Sequence, residues 1–270
     1  MPESEIEKFL TDAQTFLKQE QILFGNTLYR EKTAAKPSTA IVERTEPAMA
    51  VKKKTETPAL VKKSLVIEAW QSATDIVDLN KQICNCMKCA LGKTRTKFVF
   101  GVGNPNADLM VIGEAPGADE DAQGEPFVGR AGQLLTKILE AIQFKREDVY
   151  IANILKCRPP ENRKPNSEEV EQCEPYLWKQ IDLIKPKLIL CVGLTAAHTL
   201  LKTEESLTSL RASVHNYHGV PTLVTYHPVA LLRNPNWKKP TWEDVQKLRT
   251  MYDELKNSEQ LSGLVYKHTR

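Results

Sequence analysis

Four short apolar runs punctuate the middle of the chain: Leu109-Met110-Val111-Ile112, Val149-Tyr150-Ile151-Ala152, Leu188-Ile189-Leu190-Cys191-Val192 and Thr222-Leu223-Val224-Thr225-Tyr226. Each is short, rich in β-branched and aromatic residues, and closed by a glycine or a polar residue, which is the pattern of a buried strand. Between the runs, apolar residues return at helical spacing. Leu134, Leu135, Ile138, Leu139 and Ile142 form one stripe. A second helix begins with Ser167 as its N-cap, a third covers residues 195–201, and a fourth, within 242–255, carries Val245, Leu248, Met251, Tyr252 and Leu255 on one face. Ahead of the first strand, Ile67, Trp70, Ala73, Ile76 and Leu79 predict a further helix. Strands alternating with helices predict an α/β fold: a three-layer α/β/α sandwich around a four-stranded, mainly parallel sheet.

The ends of the chain read differently. Residues 1–30 carry Ile6, Phe9, Leu10, Ala13, Phe16 and Leu17 at helical spacing, with Ser4 and Glu7 set as a capping box. This amphipathic helix either docks on its own core or binds a protein partner. Residues 31–64 contain no aromatic residue and are dominated by Pro, Ala, Thr, Lys and Glu, the composition of a disordered linker. Its lysines, Lys52 to Lys54 with Lys62 and Lys63, are either solvated or brush against phosphates. The folded domain is expected over residues 65–257, followed by a flexible tail at 258–270.

Composition narrows the class. Of 270 residues, 41% are hydrophobic and 26% charged, enough apolar material for a core without any run approaching a membrane span of about 20 residues. The start, Met1-Pro2-Glu3-Ser4-Glu5, is acidic and polar, unlike a secretory signal. A net charge of +3 is compatible with nucleic acid but does not diagnose it. The six cysteines argue for a metal site over disulfides in a cytosolic chain. Cys86-x-x-Cys89 sets two thiols on one turn, Cys157 precedes Arg158-Pro159-Pro160, and Cys173 falls in a predicted helix. Four such thiolates suit zinc or an iron–sulfur cluster, or stand unconnected; spacing alone leaves all three open. Cys191 reads as a small core residue, and Cys84 is a rival ligand beside Cys86.

Ligands of a parallel sheet bind beyond the carboxyl ends of its strands. Glu114, in Gly113-Glu114-Ala115-Pro116-Gly117, Asn153 and His227 each follow such an end, so the three are expected to share a pocket. Neither a dinucleotide fingerprint nor a phosphate loop is present. Asp119, Glu120 and Asp121 could orient water or steady a transient cation, or simply form a solvated loop. Phe127, set between glycines and a proline, is either a core anchor or a flat face for a base. The Asn153 amide offers a donor and an acceptor together, suited to a base edge. The His227 imidazole suits an oxygen that gains negative charge.

On these residues, together with Pro126-Phe127-Val128-Gly129-Arg130-Ala131-Gly132, Lys156-Cys157-Arg158-Pro159-Pro160, Thr225-Tyr226-His227-Pro228 and Leu231-Leu232-Arg233-Asn234-Pro235, the sequence resembles the family 4, iron–sulfur uracil-DNA glycosylases over about residues 83–255. The resemblance implies hydrolysis of the N-glycosidic bond of deoxyuridine in single- or double-stranded DNA, and a 4Fe–4S cluster of structural role on Cys86, Cys89, Cys157 and Cys173. It implies that Phe127 stacks on the everted uracil beside Gly113, that Asn153 reads its polar edge, and that His227 donates to its O2. Glu114 stands at the water and the sugar cation. Glu120 stands where relatives exclude the thymine methyl group, and the division of acid–base work between Glu114 and Glu120 stays open. Arg233 is the candidate for entering the DNA groove, and the basic run containing Lys156, Arg158, Arg163 and Lys164 the candidate for holding phosphates. A monomer acting in the prokaryotic cytosol, at the nucleoid, is expected. The alternatives are a related glycosylase of altered base specificity and a non-catalytic nucleic-acid-binding module.

Overall fold

The structure, a computed structural model, describes residues 68–267. The helix and linker expected within residues 1–64 lie outside the described residues. A 3₁₀ turn, Ala69–Ser72, precedes α1, Ile76–Ile83. The single helix expected from Ile67 through Leu79 is thus broken. Ala73 turns extended, and the Asp75 carboxylate accepts the Asp78 N–H at 2.8 Å, capping a fresh start. The chain continues through α2 (Leu91–Thr94), β1 (Val102–Gly103), β2 (Leu109–Gly113), α3 (Ala118–Gln123), α4 (Arg130–Ala141), β3 (Tyr150–Asn153) and α5 (Ser167–Ile184). It closes with β4 (Leu188–Val192), α6 (Leu194–Leu201), α7 (Leu207–Ala212), β5 (His215–Tyr217), β6 (Val220–Thr225), α8 (Pro228–Arg233) and α9 (Lys238–Lys267). Ser167 is the first residue of α5 and not its cap; Asn166 precedes it, with its own N–H held by Glu169 at 2.9 Å. The last helix runs on to Lys267, past residue 258 where the tail was expected to begin.

The sheet has six strands in the order β1-β3-β2-β4-β6-β5, two more than expected. The four apolar runs form its parallel centre, β3-β2-β4-β6, and the additions are antiparallel edges. β1 and β5 are 2 and 3 residues long, too short for side-chain alternation to register in the sequence.

Central strands send alternate residues to two separate cores. Met110 and Ile112 meet the helices α1, α5, α6 and α7 through Leu79, Tyr176, Ala196 and Leu210. Leu109 and Val111 meet α4, α8 and α9 through Leu135, Leu231 and Val245. Both faces are covered, so all five residues of β2 are buried. No helix among the described residues is long and apolar enough to cross a membrane.

The strand order also positions a site. From β2 the chain crosses to β3 on one side, then returns to β4 on the other. Connections that leave a strand pair in opposite directions open a crevice above its carboxyl ends. That crevice lies beyond Gly113 of β2 and Val192 of β4.

Candidate active site

The crevice is a pocket of about 640 Å³, within the range of small-ligand sites. Glu114, Glu120, Phe127, Asn153, His227 and Arg233 all line it. The expectation that Glu114, Asn153 and His227 meet is met by the register of the sheet. Gly113 pairs directly with Asn153 across β2 and β3, and His227 follows the end of β6.

Asn153 is 2% exposed, and its side-chain Oδ1 is buried without a hydrogen-bond partner. An orphaned buried acceptor costs about 1–3 kcal/mol, and beside the pocket a ligand N–H could satisfy it. Gly113 makes the approach possible. A Cβ there would lie 2.5 Å from Asn153 Oδ1 and 2.6 Å from Phe127 Cζ.

Phe127 is buried, yet one face of it borders the pocket. Its backbone is left-handed, φ 55°, a conformation that costs a non-glycine residue about 1 kcal/mol or more. The surroundings impose it. Glu120 accepts the Val128 and Gly129 N–H groups, both at 3.0 Å, and the Gly117 N–H at 3.1 Å. Arg146 donates to Pro126 O at 2.6 Å. On the far side Gly132 leaves room for the Phe127 carbonyl, which a Cβ there would meet at 1.8 Å. Glu120 therefore staples the Phe127 loop, with both oxygens engaged by backbone. Asp121, its neighbour in the acidic cluster, is buried and accepts the Thr96 N–H, a structural role.

His227 stacks on Phe127, ring centroids 5.6 Å apart and planes 29° from parallel. Burial pulls its pKa down to about 4, against the pull of Glu120 in the other direction. The ring is neutral at pH 7, and Nδ1 accepts the Val229 N–H at 3.2 Å. Its one proton therefore sits on Nε2. Glu114 is half-buried, and desolvation raises its pKa, while the Thr195 hydroxyl and Lys164 oppose the rise. Thr195 stands in the first turn of α6 across the crevice, a partner that no motif in the sequence announced.

The basic run divides. Lys156 is wholly buried, so it cannot reach phosphates, contrary to expectation. Its Nζ donates to Asn153 O at 2.7 Å and Gln180 Oε1 at 2.6 Å, and burial lowers its pKa to about 8. The Lys side chain turns inward to satisfy two buried acceptors, the carbonyl at the end of β3 and the Gln180 amide oxygen of α5. Arg158 lies outside the pocket lining and donates to Asn162 Oδ1 at 2.8 Å. Arg163 reaches the pocket wall, held by a two-bond pair with Glu169 at 2.6 and 2.9 Å. Arg233 is exposed at the pocket edge, at the end of α8, and beside it Trp237 also lines the pocket. Trp237 carried no motif and was missed.

Cys86, Cys89, Cys157 and Cys173 gather against one core, under the loop after β3. Three of the sulfurs already have donors. Arg95 donates to Cys157 Sγ at 3.2 Å, the Lys156 N–H to Cys173 Sγ at 3.3 Å, and the Tyr176 hydroxyl to Cys86 Sγ at 3.3 Å. Burial pushes the Cys157 thiol up, Arg95 pulls it down, and Cys89 and Cys86 add to the rise. Among the described residues, no three His, Cys, Asp or Glu side chains converge where a single ion could sit. One zinc needs every sulfur about 2.3 Å from a common centre. Hydrogen bonds to sulfur, as at Cys86, Cys157 and Cys173, are a normal part of the setting of an iron–sulfur cluster. The donor set fits a cluster. Cys84 turns away and donates to Lys81 O, and Cys191 is buried in β4.

A family model described as the uracil DNA glycosylase superfamily matches residues 100–248. The Type-4 uracil-DNA glycosylase of Archaeoglobus fulgidus is 43% identical over 179 residues, 63% of this chain and 90% of that protein. That of Pyrobaculum aerophilum is 46% identical over 171 residues, 60% of this chain and 86% of that protein. That of Thermotoga maritima is 39% identical over 176 residues, 64% of this chain and 92% of that protein.

Proposed function

The chain belongs to the uracil DNA glycosylase superfamily, and we propose that it hydrolyses the N-glycosidic bond of deoxyuridine in DNA, releasing uracil and leaving an abasic site. The observation that carries this reading is the buried, unpartnered Oδ1 of Asn153 beside the neutral imidazole of His227. Uracil has an N–H flanked by two carbonyl oxygens. It answers an acceptor at Asn153 with its N3–H and a donor at His227 with its O2.

The reaction breaks the bond toward a cationic sugar and an anionic base. His227 donates from Nε2 to the oxygen on which the negative charge grows. A donor already aimed at that oxygen in a water-poor site stabilises the transition state without reorganising, an effect worth about 3 kcal/mol for a single bond. Because the imidazole is neutral, it supplies a hydrogen bond and keeps its proton. Phe127, held rigid by the Glu120 staple, stacks on the base and fixes its plane. Glu114 is the residue to face the sugar: its carboxylate steadies the developing cation and orients the attacking water. Glu120, with both oxygens on backbone N–H groups, shapes the wall and has less freedom for proton transfer. The base must leave the stack to reach the pocket, which costs a few kcal/mol. Arg233 and Arg163, at the pocket edge, are the groups to hold the backbone around it.

Cys86, Cys89, Cys157 and Cys173 would hold a 4Fe–4S cluster. Those four side chains would then link the Cys86–Cys89 turn and the loop after β3 to α5, a structural role.

The test is incubation with an oligonucleotide carrying one deoxyuridine, followed by alkali. Strand scission at that position, with free uracil released, is expected; an intact strand would reject the reading.

A further inference from the structure

We infer that Trp237 is a platform on which a nucleobase flanking the everted uracil stacks. This rests on the uracil reading of the pocket. Trp237 is 38% exposed and Trp178 39%, but of the two only Trp237 lines the pocket; Trp70 and Trp242 are buried. A large aromatic surface left open at the edge of a nucleotide pocket is a stacking site by its chemistry.

Trp237 is rigid. It closes the 3₁₀ turn Pro235–Trp237, whose proline and Asn234 cap fix its start. Asn234 Oδ1 accepts the Asn236 N–H at 3.2 Å, and the Trp237 carbonyl accepts the Thr241 hydroxyl at 2.8 Å. The indole lies on Tyr226, centroids 5.1 Å apart and planes only 13° from parallel. Tyr226 also carries the Arg211 guanidinium, 4.7 Å from its centroid. Arg211 is locked by two bonds to Asp244, at 2.6 and 2.9 Å, and one to Pro240 O at 2.7 Å. Guanidinium and indole thus both pack on the phenol ring, and the indole reaches the pocket edge.

The stack is also tied to the chemistry by sequence. Tyr226 immediately precedes His227, so the residue that supports the platform and the imidazole leave the end of the same strand. Trp237 and Arg233 line the same pocket as His227. The occupant is the neighbouring base of the same DNA strand: once the uracil is everted, that base has lost its stacking partner. An indole face replaces the partner and holds the gap open, whatever the neighbour's identity.

The experiment uses single-stranded oligonucleotides with one deoxyuridine whose 5′ or 3′ neighbour is, in turn, a normal nucleotide or a stable abasic tetrahydrofuran. Wild-type protein should lose about tenfold in kcat/KM on one of the two modified strands, mostly through KM. Trp237→Ala should show that loss on the unmodified strand and no further loss on the modified one. Trp237→Phe, which keeps a smaller ring, should fall between. Trp237→Ala matching wild type on the unmodified strand, or showing the same abasic penalty as wild type, would overturn the platform. Wild-type protein that releases no uracil from any strand would remove the underlying reading and the platform together.

Discussion

The ammonium of Lys156 donates to the backbone carbonyl of Asn153 at 2.7 Å, within a core where the lysine has no exposure at all. The same ammonium holds Gln180 Oε1, and Gln180 in turn donates to Phe100 O at 3.0 Å and the Tyr150 hydroxyl at 3.3 Å. The residue expected to hold phosphates instead fixes, from below, the strand end that carries the amide proposed to read the base. Lys156→Met leaves two buried acceptors unpaired and should cost about 2–4 kcal/mol in thermal unfolding. It should slow uracil release while leaving affinity for DNA, read by gel shift, at the wild-type value. Weakened DNA binding in a variant of unchanged stability would return Lys156 to the DNA face.

Asn153→Ala removes the orphaned acceptor, and with it the group proposed to read the base. Uracil excision should drop by about a hundredfold. Because the buried oxygen is unpaired in the free protein, the melting temperature should stay level or rise. A variant that excises at the wild-type rate would take Asn153 out of base recognition.

Gly113→Ala puts a methyl group into the space shared by Asn153 and Phe127, 2.5 and 2.6 Å from their nearest atoms. Overpacking of this kind costs about 1–3 kcal/mol, and here it displaces two groups that must meet one ligand. Excision should be lost while affinity for DNA, read by gel shift, stays at the wild-type value. Full activity in this variant would show that the amide and the ring do not need to close on the base together.

His227 is held to a pKa of about 4 by burial, below its ordinary value of 6.5. Below pH 6.5 the unfolded chain binds a proton at this position and the folded protein does not. Stability from this group is therefore complete above pH 6.5 and drains away as the pH falls toward 4. Melting temperatures across that window should fall less for His227→Gln than for wild type. Identical slopes would mean the imidazole is charged in the folded state. That would also deprive Val229 N–H of its acceptor.

Where the sequence was informative, the reason is local. The central strands announced themselves because both faces are buried, which makes the runs continuously apolar. Strand ends then named Glu114, Asn153 and His227 without any knowledge of the strand order. The edge strands were silent. β5 is nevertheless joined to β6 by His218-Gly219, with φ of 49° and 85°, and two successive positive values are the mark of a tight hairpin turn. A two-residue turn of this kind was the available signal. The first helix was misread because Ile67 through Leu79 keep helical spacing across a break that depends on one side chain, Asp75, capping the start of α1. Lys156 was misassigned because charge is visible in a sequence and direction is not. Trp237 was missed because its meaning comes from Tyr226 and Arg211, 11 and 26 residues away in the chain.

The order of residues by itself determined the α/β class, the four parallel strands and the three polar side chains at strand ends, because each depends on short-range periodicity or on residue type. Only the tertiary structure decided which of the charged groups face the pocket, which proton His227 keeps, why Phe127 accepts a left-handed backbone, and that an indole stands at the edge. Those depend on burial and on partners brought together across the sheet, and desolvation is a property of the assembled surroundings that no single segment carries.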